Sequence, residues 1–341
     1  MVRLTPALLV ALISTTSSVD AAPKKERVQL HAHRGGAGMR PESTLYAYAY
    51  ALEMGATALE IDVVFTKDGV PVVWHDHSID GKKCKDTGEN ELVGKYIVDM
   101  TLEEVKTLDC GSQQDKAAPD QVLFPGAQIQ TLEEILDLME CYGACHVELN
   151  LETKLDPLAV NETFPVEAYT KIPEILIRRD IFERTYIQSF DWRTLINIKK
   201  AYPDARTVAL ANPMTTDISI DRGVGGWPWL GGLNLKDFGG DWIKAAASIG
   251  VDAVSAWSGG SVLKWVNEER VKTAKELGLG FFAWTVNDEK DVERVLKAGV
   301  TGVITDYPEM TKKVAKGLKV RMAWKGLEEK RECWRSGGWK E

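Results

Sequence analysis

Two short stretches near the N-terminus collect residue types that an apolar core would not gather. His33-Arg34-Gly35 supplies an imidazole and a guanidinium, and Glu60-Ile61-Asp62 followed by His75-Asp76 adds paired carboxylates and a second imidazole. On a strand, alternation places Glu60 and Asp62 on one face, about 6–7 Å apart along it. Two bare carboxylates so close repel, and one would hold its proton. A hard divalent cation, Mg²⁺ or Ca²⁺, relieves this because it prefers oxygen ligands. Histidine titrates near neutrality, so one of His33 and His75 can take a proton from a nucleophile while the other gives one to a leaving oxygen. Arg34 can then hold anionic oxygens and stabilise charge developing on them. These are the parts that metal-assisted cleavage of a phosphodiester requires.

Such groups need a frame to converge. Hydrophobic periodicity predicts strands over 28–33, 58–64, 146–153, 185–189, 206–210, 253–256, 280–285 and 302–305, each followed by a helical pattern, including 166–178 and 262–277. In 58–64, Leu59, Ile61 and Val63 face one way while Glu60 and Asp62 face the other. Lys67-Asp68-Gly69 predicts a hairpin turn, with 72–75 returning. Eight βα units in one chain predict an α/β fold of the (β/α)₈ TIM-barrel type, with a small insertion after strand two over about 78–126. No Gly-x-Gly-x-x-Gly turn follows the first strand, which argues against a dinucleotide fold.

Reactive groups in such a barrel sit at the C-terminal ends of strands. His33 and Arg34 end strand one, with Glu60 and Asp62 on strand two and Glu152 and Lys154 ending strand three. Trp284 ends strand seven and Asp306 strand eight. Glu152 is thus a third metal ligand beside Glu60 and Asp62, Lys154 a second phosphate contact beside Arg34, and Trp284 a substrate contact. His31 lies deeper on its strand and His77 opens the insertion, so both rank behind His33 and His75. Glu148 and Asn150 share a face with Glu152 and are expected as interior polar residues. Trp227, Trp229, Trp242 and Trp257 are expected to pack the strand-five and strand-six loops.

The N-terminus reads differently. Met1-Val2-Arg3, an apolar run over 4–13 and a small-residue exit at Ala21-Ala22 predict a signal peptide over 1–21 and a secreted, extracellular protein. The barrel is expected over 22–318, followed by a basic tail over 319–341 that carries Trp324, Trp334 and Trp339. Secretion makes the five cysteines disulfide material. Proximity favours Cys84 with Cys110 and Cys141 with Cys145, leaving Cys333 over, although spacing alone cannot decide connectivity. Asn161-Glu162-Thr163 is a glycosylation sequon. A net charge of −8 argues against nucleic acid as a partner. No apolar run approaches the roughly 18 residues of a membrane span. The Trp-rich loop over 212–241 could still touch a lipid surface.

The motifs together resemble one family. His33-Arg34-Gly35, Pro41-Glu42-Ser43-Thr44, Gly55-Ala56, Glu60-Ile61-Asp62-Val63, Thr66-Lys67-Asp68-Gly69 and His75-Asp76 are similar, in order and spacing, to the glycerophosphodiester phosphodiesterases. The resemblance continues through Glu152-Thr153-Lys154, Trp284-Thr285-Val286-Asn287 and the segment 302–308. It implies a (β/α)₈ barrel with His33 and His75 as the acid–base pair and Glu60, Asp62 and Glu152 as ligands of one divalent cation. Arg34 and Lys154 become the phosphate contacts. The implied reaction hydrolyses a small glycerophosphodiester to glycerol 3-phosphate and an alcohol, with Mg²⁺ or Ca²⁺. Ser43 and Thr301 depart from the usual Asn and Asp, away from the metal and proton-transfer positions. Two other readings compete: a sphingomyelinase D-like or lysophospholipase D-like enzyme acting on lipids, and a barrel that binds without catalysis.

Overall fold

The computed structural model describes residues 27–216, 227–322 and 326–335. The expected signal peptide, part of the loop after strand five, Trp324 and Trp339 lie outside the described residues. Eight parallel strands form the centre: β1 (Gln29–His33), β2 (Ala58–Phe65), β3 (Glu148–Thr153), β4 (Thr185–Ser189), β5 (Arg206–Ala211), β6 (Ala253–Trp257), β7 (Gly280–Trp284) and β8 (Gly302–Thr305). Each pairs with its sequence neighbours, and β1 pairs with both β2 and β8, which closes the barrel.

The strand alternation explains the layers. Leu59, Ile61, Val63, Leu149 and Leu151 face outward into one apolar cluster with the helices α1 (Leu45–Glu53) and α2 (Leu132–Tyr142). The intervening Glu60, Asp62, Asn150 and Glu152 are therefore left to the barrel interior, where all four are buried. Register sets Glu60 beside His33 and Asp62 beside Glu152. Helix starts are marked by side-chain caps: Thr44 for α1, and Thr131 with Glu134 in a reciprocal capping box for α2.

Two expected helices are interrupted. Over 166–178 the chain forms a 3₁₀ segment, Val166–Lys171, before the helix α3 (Ile172–Arg178). Pro173 is the reason, since it lacks an N–H and is tolerated only in a first turn. Over 262–277 a single turn, Gly260–Leu263, stops at Lys264, whose φ is +47°. A new helix, Glu268–Glu276, then starts behind an Asn267 cap.

The insertion has a small core of its own. Pro71–Val73 returns antiparallel to β2, and Lys85–Asp86 pairs with Leu108–Asp109. Trp74, Ile79, Leu92, Ile97, Val105 and Leu108 pack there around the expected Cys84–Cys110 disulfide. The other cysteine expectation fails. Cys141 is bonded to Cys333, and Cys145 is a free, exposed thiol. Gly143, with φ +65°, ends α2 and turns the chain away, so Cys145 is not presented to Cys141. The tail instead returns across α1 and α2, where Trp334 packs against Tyr46 and Phe124.

Candidate active site

The site lies at the C-terminal mouth and begins with a tight reversal after β1. Arg34 takes a left-handed conformation (φ +51°), followed by Gly35 and Gly36 at φ +85° and +95°. A Cβ on Gly35 would lie 2.7 Å from Ala47 of α1, so only glycine fits there. The Arg34 backbone N–H donates to the Glu60 carbonyl and carboxylate, each at 3.1 Å, which ties the reversal to β2.

Glu60, Asp62 and Glu152 each offer an oxygen within 4.8 Å of the others, closer than the spacing of Glu60 and Asp62 along the strand. Asp62 is 1% exposed, and neither of its oxygens accepts a hydrogen bond. It meets only ion pairs: Arg34 Nε at 3.2 Å and Lys154 Nζ at 3.6 Å. Lys154 also lies 2.7 Å from Glu152 Oε1. Burial and the Asp62 charge push the Glu60 carboxyl up, and burial raises Glu152 despite Lys154. Burial also acts on Asp62, but Lys154, His75 and Arg34 hold it low. Three hard oxygen donors, one with both oxygens buried and no hydrogen-bond donor, fit a divalent cation.

The two histidines stand beside this triad, each anchored through one nitrogen. His33 Nδ1 donates to Asp306 Oδ1 at 2.6 Å, and His75 Nδ1 donates to Asp76 Oδ1 at 2.7 Å. Their charges are biased in opposite directions. Burial and Arg34 press the His33 pKa down, yet the Asp306 charge and hydrogen bond, with Glu60, outweigh them and raise it. Burial, Lys154 and Arg34 lower His75 to about 4, against Asp62 and Asp76.

Beneath the triad runs a buried polar chain. Gln188 donates to Glu60 Oε1 at 2.9 Å, and Asn150 donates to Gln188 at 3.1 Å and to His31 Nδ1 at 3.2 Å. His31 therefore sits below the site as expected. His77 lies apart from the cluster, 3.8 Å from Glu162. Trp284 stands half-buried at the end of β7, edge-on to Phe190 at 5.3 Å, and Phe190 meets Trp229 at 6.4 Å. Trp227 and Trp242 are buried in packing, Trp242 stacked on Trp265. Sequence reasoning assigned nothing to Asp306, Glu42, Lys83 or Gln188. Asp306 ends a strand and so carried a signal, whereas Lys83 is one lysine among several in a polar insertion.

Comparison with known proteins agrees with this geometry. The sequence pattern of the glycerophosphoryl diester phosphodiesterase family matches residues 33–310, from His33 to the helix after β8. The chain belongs to that family. Over 294 residues it is 31% identical to a glycerophosphodiester phosphodiesterase of Bacillus subtilis, covering 86% of this chain and 88% of that one. A solved structure from Silicibacter pomeroyi, described as a candidate glycerophosphoryl diester phosphodiesterase, superposes with a TM-score of 0.73 at 30% identity, covering 88% and 96% of the two chains. An Oleispira antarctica phosphodiesterase, solved with its product sn-glycerol-3-phosphate, shares the fold with a TM-score of 0.61 at 23% identity, covering 84% and 96%. The enzyme is thus of the glycerophosphodiester phosphodiesterase class. Among the described residues, no helix is long and apolar enough to cross a membrane.

Proposed function

We propose that this enzyme is secreted and hydrolyses glycerophosphodiesters to glycerol 3-phosphate and an alcohol, with His33 as general acid and His75 as general base. One observation carries the assignment: each imidazole is anchored by a carboxylate, and their pKa values are displaced in opposite directions beside one acidic triad. Opposed displacements of paired groups separate an acid from a base. His75, neutral at physiological pH, accepts a proton from the attacking oxygen. His33, whose protonated form Asp306 favours, gives one to the departing alcohol.

Arg34 and Lys154 hold the non-bridging phosphate oxygens. A divalent cation, Mg²⁺ or Ca²⁺, held by Glu60, Asp62 and Glu152 would polarise the phosphoryl group. Trp284, at the end of β7 and packed edge-on against Phe190, positions the organic part of the substrate. Release of glycerol 3-phosphate from a panel of glycerophosphodiesters, with Mg²⁺, Ca²⁺ or chelator, tests this reading. Activity should vanish with chelator, in His33→Ala and in Glu60→Ala; activity retained in all three would remove it.

A second substrate class has one observation in its favour. Met214, Val262 and Leu263, in the loops after β5 and β6 at the mouth, are 78%, 87% and 63% exposed. Exposed apolar side chains beside a mouth suit contact with a lipid surface. Comparing head-group release from a lysophospholipid with release from its deacylated counterpart separates the two classes.

Secretion is supported by the N-terminal pattern over 1–21, the two disulfides and the Asn161 sequon. Sequencing the N-terminus of protein recovered from culture medium should place cleavage near Ala21 or Ala22. An intact Met1 there would refute the cleavage.

A further inference from the structure

The insertion after β2 sends one cation back to the site. Lys83 Nζ lies 2.6 Å from Asp76 Oδ2 and 2.9 Å from Glu42 Oε1. The second oxygen of each carboxylate is already engaged. Asp76 Oδ1 accepts from His75 at 2.7 Å, and Glu42 Oε2 accepts from Arg34 at 3.1 Å. An unbroken series results: His75, Asp76, Lys83, Glu42, Arg34. It joins the loop that follows Pro71–Val73 to the loop that follows β1, two segments with no strand pairing between them at this point.

The charges make this arrangement depend on Lys83. Asp76 and Glu42 both approach one point, and without a cation there they would repel and swing apart. Burial disfavours both anions, yet both are held below the usual carboxylate range, Asp76 by His75 and Lys83 and Glu42 by Arg34 and Lys83. The ammonium also lies 5.7 Å from the centre of the buried Trp74 ring. Its sequence neighbour, Cys84, is fully buried and bonded to Cys110, so the backbone that carries Lys83 is anchored in the insertion's apolar cluster.

We propose that Lys83 is a positioning residue that couples the proton-transferring His75 to the phosphate-holding Arg34, with the Cys84–Cys110 bridge keeping it in reach. This rests on the roles given to His75 and Arg34 under the proposed function. The hydrogen bonds of the Lys83 ammonium go to these two carboxylates, so it acts through them.

The test is steady-state release of glycerol 3-phosphate from glycerophosphocholine by Lys83→Met, Lys83→Gln and Lys83→Arg, with thermal melting of each. Loss of a supporting partner should lower kcat about 10–100-fold in the Met and Gln variants. Lys83→Arg should restore most of it, and melting should stay within a few degrees of wild type. Asp76→Asn supplies a double-mutant cycle: adding Lys83→Met to it should cost no more than about threefold further, because both changes break one series. Losses that multiply in full would overturn the coupling. So would activity that falls only in step with melting temperature. His75→Ala separates the two levels of inference. If it is inactive while Lys83→Met stays within about twofold of wild type, the Lys83 assignment alone falls. If His75→Ala keeps wild-type activity, the proposed function falls and takes the coupling with it.

Discussion

His33 and Asp306 are 273 residues apart in the chain, yet His33 Nδ1 donates to Asp306 Oδ1 at 2.6 Å. Barrel closure makes the contact, because β8 pairs with β1 and their C-terminal ends become neighbours. Asn287 donates to the other Asp306 oxygen and holds the carboxylate in place. A carboxylate so placed orients the ring and favours its protonated form.

Asp306→Asn should therefore do two things. It removes the charge that lifts His33 and disturbs the ring's proton arrangement, so kcat should fall by about 10²–10⁴-fold, the scale seen when an orienting carboxylate is lost. It should also move the alkaline limb of the kcat/KM profile to lower pH. The sign follows from the raised pKa: a general acid works while protonated, and without Asp306 it loses its proton earlier as pH rises. A pH–rate profile checks both, and an unmoved alkaline limb would count against His33 as the acid.

The acidic triad predicts stabilisation by a cation. Burial and mutual repulsion raise Glu60, and Asp62 accepts no hydrogen bond, so the triad would cost the fold stability unless a cation neutralised it. Mg²⁺ or Ca²⁺ at about 100 times its dissociation constant should stabilise the folded state by about 2.7 kcal/mol. Differential scanning fluorimetry with and without metal reads this directly. Asp62→Asn should abolish the metal-dependent shift in melting temperature.

His31 predicts an acid-side loss of stability. It is fully buried, with burial first and Arg206 second lowering its pKa to about 3. The unfolded chain binds this proton near the ordinary histidine value and the folded chain does not. Stability from this group is therefore complete above about pH 6.5 and declines as pH falls from there toward 3, by about 2 kcal/mol between pH 7.5 and pH 5. Denaturant unfolding of wild type and His31→Gln at those two pH values checks it. The variant should show a shallower decline.

The Cys141–Cys333 bridge closes most of the barrel into one loop, with 192 residues of separation. Cys333→Ser should lower unfolding free energy by about 2–4 kcal/mol, the usual scale for a disulfide that restricts the unfolded chain. Equilibrium denaturation measures the loss. The Lys106–Glu134 ion pair at 2.5 Å is a useful control, because both side chains are partly exposed and Lys106→Ala should cost about 1 kcal/mol or less.

Much of the barrel was legible because its two faces carry opposite chemistry. Leu59, Ile61 and Val63 against Glu60 and Asp62 specify both a strand and which side meets the helices. The same alternation singled out Glu152, and the strand ends singled out His33, Arg34, Lys154 and Trp284. Local interruptions were harder to read. Lys264 ends a turn through a left-handed conformation that its residue type does not announce, and Pro173 shortens a helix whose apolar spacing continues through it. One of the two expected cysteine pairs failed for a related reason. Cys145 is near Cys141 in sequence, but Gly143 turns it away while the returning tail delivers Cys333.

By itself, the sequence determined the alternating βα order, the polar interior faces and the set of groups capable of acid–base and metal chemistry. These follow from residue type and from spacing of a few positions, which local geometry converts into direction. Only the tertiary structure decided which carboxylate serves each histidine, how Lys83 bridges Asp76 and Glu42, and that Asp62 and Glu152 stand side by side. Those relationships depend on closure of the barrel and on the path of the insertion, both set by packing between segments far apart in the chain. The opposed pKa displacements of His33 and His75 belong there too, since burial and distant neighbours set them and residue identity does not.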